Sequence, residues 1–274
     1  MVTKSPPAER NSRRLKEAEE RAVKRWRPGQ RWYHPAIAKL VIATSRFITN
    51  RMNKLEVEGR EHLDWALERA AGRGLLSISN HSSLFDDPIL MANFVRGPYH
   101  DIRWVGADAL NFFGSPFKAW LFTAGKSAPI VRGVGLDQPG MLFLRDRLAE
   151  GAWVHMFPEG GRTRDAGARM NPDFKPGTGW LIAEAKPLVL PFYHHGMQHV
   201  LPVGSIRPRR GHIVSLLFGE PIDCDEAWIE DVATRRGSAA EGPRLWEALS
   251  AEMHSAMAAL EQRLHPALAG KTPA

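Results

Sequence analysis

Ser79-Asn80-His81-Ser82-Ser83-Leu84-Phe85-Asp86-Asp87-Pro88 places one imidazole and two carboxylates where a strand gives way to a helix. The preceding Leu75-Leu76-Ser77-Ile78-Ser79 reads as a short buried strand, and Asp87 followed by Pro88 reads as an N-cap and first helical residue. His81 is therefore expected in a turn. Residues five apart on one α-helix are rotated by about 140° and point away from each other, so a helix would not pair His81 with Asp86. A turn that feeds a helix brings the Asp86 carboxylate back to one ring nitrogen and leaves the other to accept a proton, as a general base requires. No serine lies in a nucleophile elbow, and Cys224 sits far along the chain between two aspartates. The base is expected to act on a nucleophile that the substrate brings.

Four blocks in order carry a resemblance: His81 with Asp86, Gly125 to Arg132, Phe157-Pro158-Glu159-Gly160-Gly161-Arg162-Thr163, and Val189-Leu190-Pro191. Together they resemble the glycerolipid acyltransferase family. The flanks, among them Asn80, Asp87-Pro88, Arg103-Trp104, Gly151-Ala152-Trp153-Val154-His155 and Val200-Leu201-Pro202, are similar to its tafazzin branch of phospholipid–lysophospholipid transacylases, from roughly Pro35 to Ile222. That branch usually carries Lys straight after Phe-Pro-Glu-Gly, where this chain has Gly161-Arg162-Thr163. The acyl donor is left open by this departure. The resemblance implies catalysis by His81 and Asp86, and binding of the acceptor's glycerol-phosphate end by Arg132, Glu159, Gly160, Arg162 and Pro191.

With 274 residues and 43% hydrophobic content the chain suffices for one large domain. A net charge of +7 and a pI near 9.8 favour anionic partners, either nucleic acid or an anionic lipid surface. One cysteine excludes an intramolecular disulfide. Residues 1–31 read as a polar, basic tail without the apolar core of a secretory signal, and both termini look low in order. In residues 32–51, Ile37, Leu40, Val41, Thr44 and Ile48 recur at helical spacing behind Trp26, Trp32 and Tyr33. The run is too short and too charged for a bilayer span, so an interfacial, membrane-docking helix is expected, with an ordinary core helix as the bland alternative.

Strands are expected at Arg103 to Gly106, Ala128 to Val131, Trp153 to Phe157, Leu188 to Phe192 and His212 to Phe218, and helices at Met141 to Leu148 and Gly177 to Ala185. The aromatic run from Phe112 to Phe122 builds either a core, an acyl-chain wall or a second membrane patch. Gly125-Lys126-Ser127 resembles the end of a phosphate-binding loop, but Trp120 stands where that motif needs its first Gly. Arg132, at the end of its strand, is read as an unpaired fork for phosphate or, more blandly, as the partner of Asp137 or another acid. His194, His195 and His199 lack the intervening Glu of a zinc site and are read as shaping the pocket, with no metal and no cofactor expected.

The expected architecture is α/β: a single domain (52–224) with a mixed central sheet flanked by helices, an N-terminal interfacial helix, and a C-terminal helical segment (225–274). The expected reaction moves a fatty acyl chain onto a lysophospholipid in phospholipid remodelling, with cardiolipin as one candidate and backbone amides near Ser82 and Ser83 as oxyanion donors. An acyl-CoA-dependent or N-acylating transferase is the alternative within enzymes. A non-catalytic binder of anionic membrane or nucleic acid is the alternative outside them, although no nucleic-acid motif accompanies the basic residues. The location implied is a membrane surface, mitochondrial if the resemblance extends so far and otherwise a cytoplasmic face.

Overall fold

Alternation of buried side chains explains the sheet at the centre of the computed structural model, which describes residues 7–268 apart from 30, 70–71, 85, 96 and 166. Strand β2 (Leu75–Ser79) follows β1 (Lys54–Glu58) and is buried throughout. Leu75 turns to one face with Trp153, Leu188, Leu190 and Phe192, while Leu76 and Ile78 turn to the other with Val154, Val189 and Leu217. This is the period of two that a pleated strand imposes. Strands β3 (Trp104–Asp108), β4 (Ser127–Ile130), β5 (Trp153–Met156), β6 (Leu188–His195), β7 (Ile213–Phe218) and β8 (Ile222–Asp223) complete a mixed sheet. Its order is β1-β7-β6-β2-β5-β3-β4, with β8 beside the start of β6. From β6 to β4 neighbouring strands run parallel, and β7, with β1 parallel to it, runs the other way.

Helices cover both faces. On one, Met141, Leu144 and Leu148 from the Pro139–Ala149 helix, Trp180 and Leu181 from Gly177–Ala185, and Met253 and Met257 from Pro243–Leu268 close over Leu76, Ile78 and Val154. On the other, Leu63 and Ala66 pack with Phe94, Phe192 and Phe218. Each fully buried leucine or phenylalanine contributes roughly 1.5–3 kcal/mol.

The basic N-terminal segment departs from a low-order tail. Residues Pro7–Arg25 form helix α1, whose Ala18 and Ala22 are buried, and the following Trp26 meets Phe143 edge-on at 4.8 Å between centroids. Two alanines four apart let the helix approach closely despite its charge. Helix α2 (His34–Phe47) continues into a π-helical turn at Ile48–Met52 and lies over the segment that carries Asp86. Its Ser45 Oγ donates to Pro88 O at 2.8 Å, while Leu40 and Phe47 stay exposed. Among the described residues no helix is long and apolar enough to cross a membrane. At the C-terminal end the Glu226–Arg235 helix, capped by Asp225 accepting from Trp228 N at 2.8 Å, precedes Pro243–Leu268. Residues 269–274 lie outside the described residues.

The tightest helix crossing is at Gly179, where an added Cβ would lie 1.9 Å from Trp246 O. Gly179→Ala is expected to lower stability by about 1–3 kcal/mol or more, read as an earlier denaturant midpoint. Gly177→Ala, two residues earlier on the same helix and with only ordinary contacts at 3.5 Å, should leave the unfolding free energy within about 0.5 kcal/mol of the parent.

Candidate active site

The carboxyl ends of the parallel strands converge on one cleft, the usual place for ligands in such sheets. His81 follows β2, Asp108 ends β3, Arg132 follows β4, and Glu159 to Arg162 follow β5. His81, Asp108, Arg132, Phe157, Gly160, Gly161 and Arg162 all line this space of about 170 Å³.

Asp86 opens a five-residue π-helical turn, Asp86–Leu90, which folds back beneath His81. Its buried Oδ2 accepts from His81 Nδ1 at 3.0 Å, from Ser82 N at 2.7 Å and from Ser83 N at 2.8 Å. A carboxylate only accepts, so Nδ1 carries the hydrogen and Nε2 keeps its lone pair. Burial alone would raise the Asp86 carboxyl, but His194 and His81 beside it and the Ser83 amide outweigh burial and hold it below its usual value. The Ser82 and Ser83 amides are thereby spent on Asp86. This corrects their assignment as oxyanion donors.

Asp87 does not cap a helix. It meets Arg103 through two contacts, Nε to Oδ1 at 2.8 Å and the second guanidinium nitrogen to Oδ2, both partners being buried. Lys126 donates to His100 O at 2.6 Å and Ile102 O at 2.9 Å, and burial, then the Arg103 charge, pushes it down to about 8.

The imidazole of His81 stacks on Phe157, centroids 4.0 Å apart. Behind Phe157 stands His155, wholly buried, with Nδ1 3.0 Å from Ser77 Oγ and held well below its ordinary value by burial and then the Arg103 charge. Glu159 turns away from the cleft to hold its walls together. Its Oε1 accepts from His81 N at 2.8 Å and its Oε2 from Asn171 N at 2.9 Å, while burial pushes the carboxyl up to about 7 against those two amides. Gly160 turns the chain with φ +66°, and Thr163 N donates to His81 O at 2.8 Å.

Arg132 is not unpaired: its guanidinium meets Asp108 Oδ2 at 3.1 Å while remaining 62% exposed. Among the described residues Arg162, on the same cleft, has no ion-pair partner. Pro191 is not brought to the cleft. It lies buried inside β6 opposite Ile78 and packs on Gly219.

Sequence reasoning gave Asn80 no role of its own. Its amide accepts from His194 N and donates to His194 O, both at 2.9 Å, which ties β2 to β6. His194 Nε2 donates to Asn80 O at 3.0 Å and lies 3.6 Å from Asp86 Oδ2. Burial lowers His194 despite the Asp86 charge beside it. His195 and His199 face each other, with His265 and His212 beside them, rather than the cleft. Among the described residues no group of three or more potential ligands could hold a metal. The signal for this polar layer lay in Ser77, Ser79, His155 and His194, polar residues inside otherwise apolar strands.

A family model described as Acyltransferase matches residues 54–195. Tafazzin of Drosophila melanogaster is 32% identical over 222 residues, which cover 76% of this chain and 57% of that protein. N-acylphosphatidylethanolamine synthase of Arabidopsis thaliana is 32% identical over 205 residues, 70% of this chain and 72% of that one. The chain thus spans little more than half the length of the fly protein. The solved 1-acyl-sn-glycerophosphate (LPA) acyltransferase of Thermotoga maritima superposes with a TM-score of 0.57 at 20% identity, over 83% of this chain and 80% of that chain, a likeness of fold. The matched stretch runs from the first residue of β1 to the last of β6 and encloses His81, Asp86, Arg132 and Arg162, so the chain belongs to the acyltransferase family.

Proposed function

We propose that this protein transfers a fatty acyl chain to the free hydroxyl of a lysophospholipid at a membrane surface. The observation that carries the reading is His81, whose Nδ1 is held by a buried carboxylate at 3.0 Å and whose ring lines a cleft, with no hydrogen bond to a serine or cysteine side chain among the described residues. The nucleophile then comes from the acceptor. Nε2 takes the hydroxyl proton as the oxygen attacks the donor's carbonyl carbon, and the Asp86 charge stabilises the imidazolium. The tetrahedral intermediate collapses with cleavage of the donor's C–O or C–S bond, and the imidazolium returns the proton to the leaving oxygen or sulfur. No acyl-enzyme forms. Gly161 lines the cleft and its amide donates to no protein group among the described residues, which makes it the oxyanion donor of choice.

An apolar groove of about 510 Å³ adjoins this cleft and shares Asp87, Pro88, Phe122 and Ser127 with it. Ile37, Val41, Ile48 and Leu121 line it, and it suits the acyl chain. Of its lining residues Leu40 and Ile206 are exposed, and so are Phe47, at the end of α2, and Val203, apolar tips that support peripheral membrane attachment. The N-acylating relative favours a second reading, in which the acceptor is the amine of phosphatidylethanolamine.

Supplying the purified protein with a diacyl phospholipid or an acyl-CoA, against labelled lysophospholipid or phosphatidylethanolamine, tests these readings. Transfer from phospholipid to lysophospholipid is expected, and failure with every pair would end the proposal. His81→Ala should lower turnover by about two to four orders of magnitude. Asp86→Asn is the sharper test. All three donors converge on one oxygen, so the asparagine carbonyl can occupy its place while the charge is lost. Turnover should fall by about two orders of magnitude or more with the melting temperature little changed, and a fully active variant would remove the mechanism.

Arg132→Lys keeps a charge but loses the planar fork. Use of lysophospholipid should weaken roughly ten- to a hundredfold in kcat/KM, with no such loss for monoacylglycerol, which has no phosphate. Leu40→Gln with Phe47→Gln should shift the protein out of the vesicle fraction. Deleting the whole N-terminal segment is a poor test, because Trp26 and Ile48 belong to the core.

A further inference from the structure

Apart from the cleft and the apolar groove, a third concavity lies where α1 hands over to α2. Arg25, Arg27, Arg31, Tyr33, His34, Pro116, Trp120 and Thr123 line its 150 Å³, and none of them lines the cleft or the groove. Among the described residues no carboxylate pairs with Arg25, Arg27 or Arg31; Arg25 is steered instead by Phe113 O at 3.1 Å and Gly114 O at 2.7 Å. The hydroxyl of Thr123, a residue only 4% exposed, has no hydrogen-bond partner. A buried hydroxyl left unpaired costs stability unless a ligand completes it. His34 Nδ1 accepts from Arg31 N, so in the neutral ring the hydrogen sits on Nε2, a further donor. The start of α2 adds its dipole: Tyr33 provides no side-chain cap and the first turn holds no acid. The three arginines, His34 Nε2 and the Thr123 hydroxyl thus offer this pocket positive charge and hydrogen-bond donors. Next to its lining, Trp32, 90% exposed, meets Tyr33 edge-on and Phe117 stacks with Trp120, amphipathic or apolar rings of the kind that settle at headgroup depth.

We propose that this pocket binds the phosphate of an anionic phospholipid as a second, non-catalytic headgroup site, seating the protein on the bilayer so that the groove opens towards it. The proposal rests on membrane attachment as read above. The aromatic rim commits the occupant to a lipid rather than to a free anion, because such rings give nothing to inorganic phosphate in water.

Co-sedimentation of the full chain with phosphatidylcholine vesicles, with and without a minor fraction of phosphatidylglycerol, tests it without recourse to activity. Phosphatidylglycerol should tighten wild-type binding. Arg27→Gln with Arg31→Gln should lose most of that gain, about tenfold or more, whereas the charge-matched Arg14→Gln with Arg21→Gln on exposed positions of α1 should lose clearly less. Thr123→Val changes no charge and removes no hydrogen bond within the protein, so it should fold normally yet weaken binding to the anionic vesicles by about threefold. Equal losses for the two arginine pairs together with a silent Thr123→Val would mean diffuse attraction and overturn the site. Full displacement by inorganic phosphate at matched ionic strength would make it a free-anion pocket and overturn the lipid assignment. In both cases continued binding to neutral vesicles leaves the proposed function standing. If the wild type binds neither vesicle, the site and the membrane part of that function fall together.

Discussion

One carboxylate oxygen, Asp86 Oδ2, receives the His81 imidazole and two consecutive backbone amides. The two amides fix where the oxygen sits, and the oxygen then fixes which nitrogen of His81 carries the hydrogen and where the ring points. Because those donors come from residues 82 and 83, the turn and the His81 ring are organised by the same contact. The enclosure that makes this possible is costly, since a buried carboxylate is stable as an anion only with donors and nearby positive or polarisable groups. His194 behind it and Asn80 tying His194 to β2 provide part of that setting.

The neighbouring acid does the opposite kind of work. Asp87 and Arg103 form a buried pair that anchors the turn to β3, and breaking one partner of such a pair costs about 3–5 kcal/mol because the other charge is left stranded. Two adjacent aspartates therefore divide the labour: Asp86 orients the His81 ring and Asp87 fixes the segment that carries Asp86. Glu159 closes the arrangement from the other side, since its two oxygens bind the backbone of His81 and of the loop at Asn171. With both oxygens taken up by backbone amides, the Glu159 carboxyl joins these segments rather than facing the cleft.

Much of the fold was legible because fully buried parallel strands read as continuous apolar runs, as at Leu75 to Ser79 and Leu188 to Phe192. Strand β1, Lys-Leu-Glu-Val-Glu, went unread because it is a half-exposed edge in which charges interrupt the pattern. Helix α1 went unread as a packed element because its contact face is built from alanines, which carry little hydrophobic signal. The His81 and Asp86 pair could be anticipated since both lie in one turn. Arg132 with Asp108, Arg103 with Asp87 and Asn80 with His194 could not, because each partner is delivered by a different strand or loop and nothing in the spacing records which strands become neighbours. Pro191 shows the reverse case: a position carried over from a family block sits inside the sheet, opposite Ile78 and against Gly219, rather than on the cleft.

The pairing of Arg132 with Asp108 bears on how an acceptor would be held. Asp108 is fixed at both oxygens, with Oδ1 accepting from Asn111 N at 2.9 Å and Oδ2 facing the guanidinium. An ion pair as exposed as this one is worth about 0–1 kcal/mol, whereas a charge-assisted hydrogen bond to phosphate is worth about 1.5–3 kcal/mol. A phosphate would therefore recruit Arg132 despite Asp108, but at reduced affinity, since the carboxylate both competes for the guanidinium and repels the incoming charge. What Asp108 adds is aim: it holds a long, mobile side chain over the cleft before substrate arrives, so less conformational entropy is lost on binding. Weak but oriented capture would suit the lipid acceptor of the proposed function, already concentrated in a bilayer, where tight ground-state binding would lower KM without raising turnover.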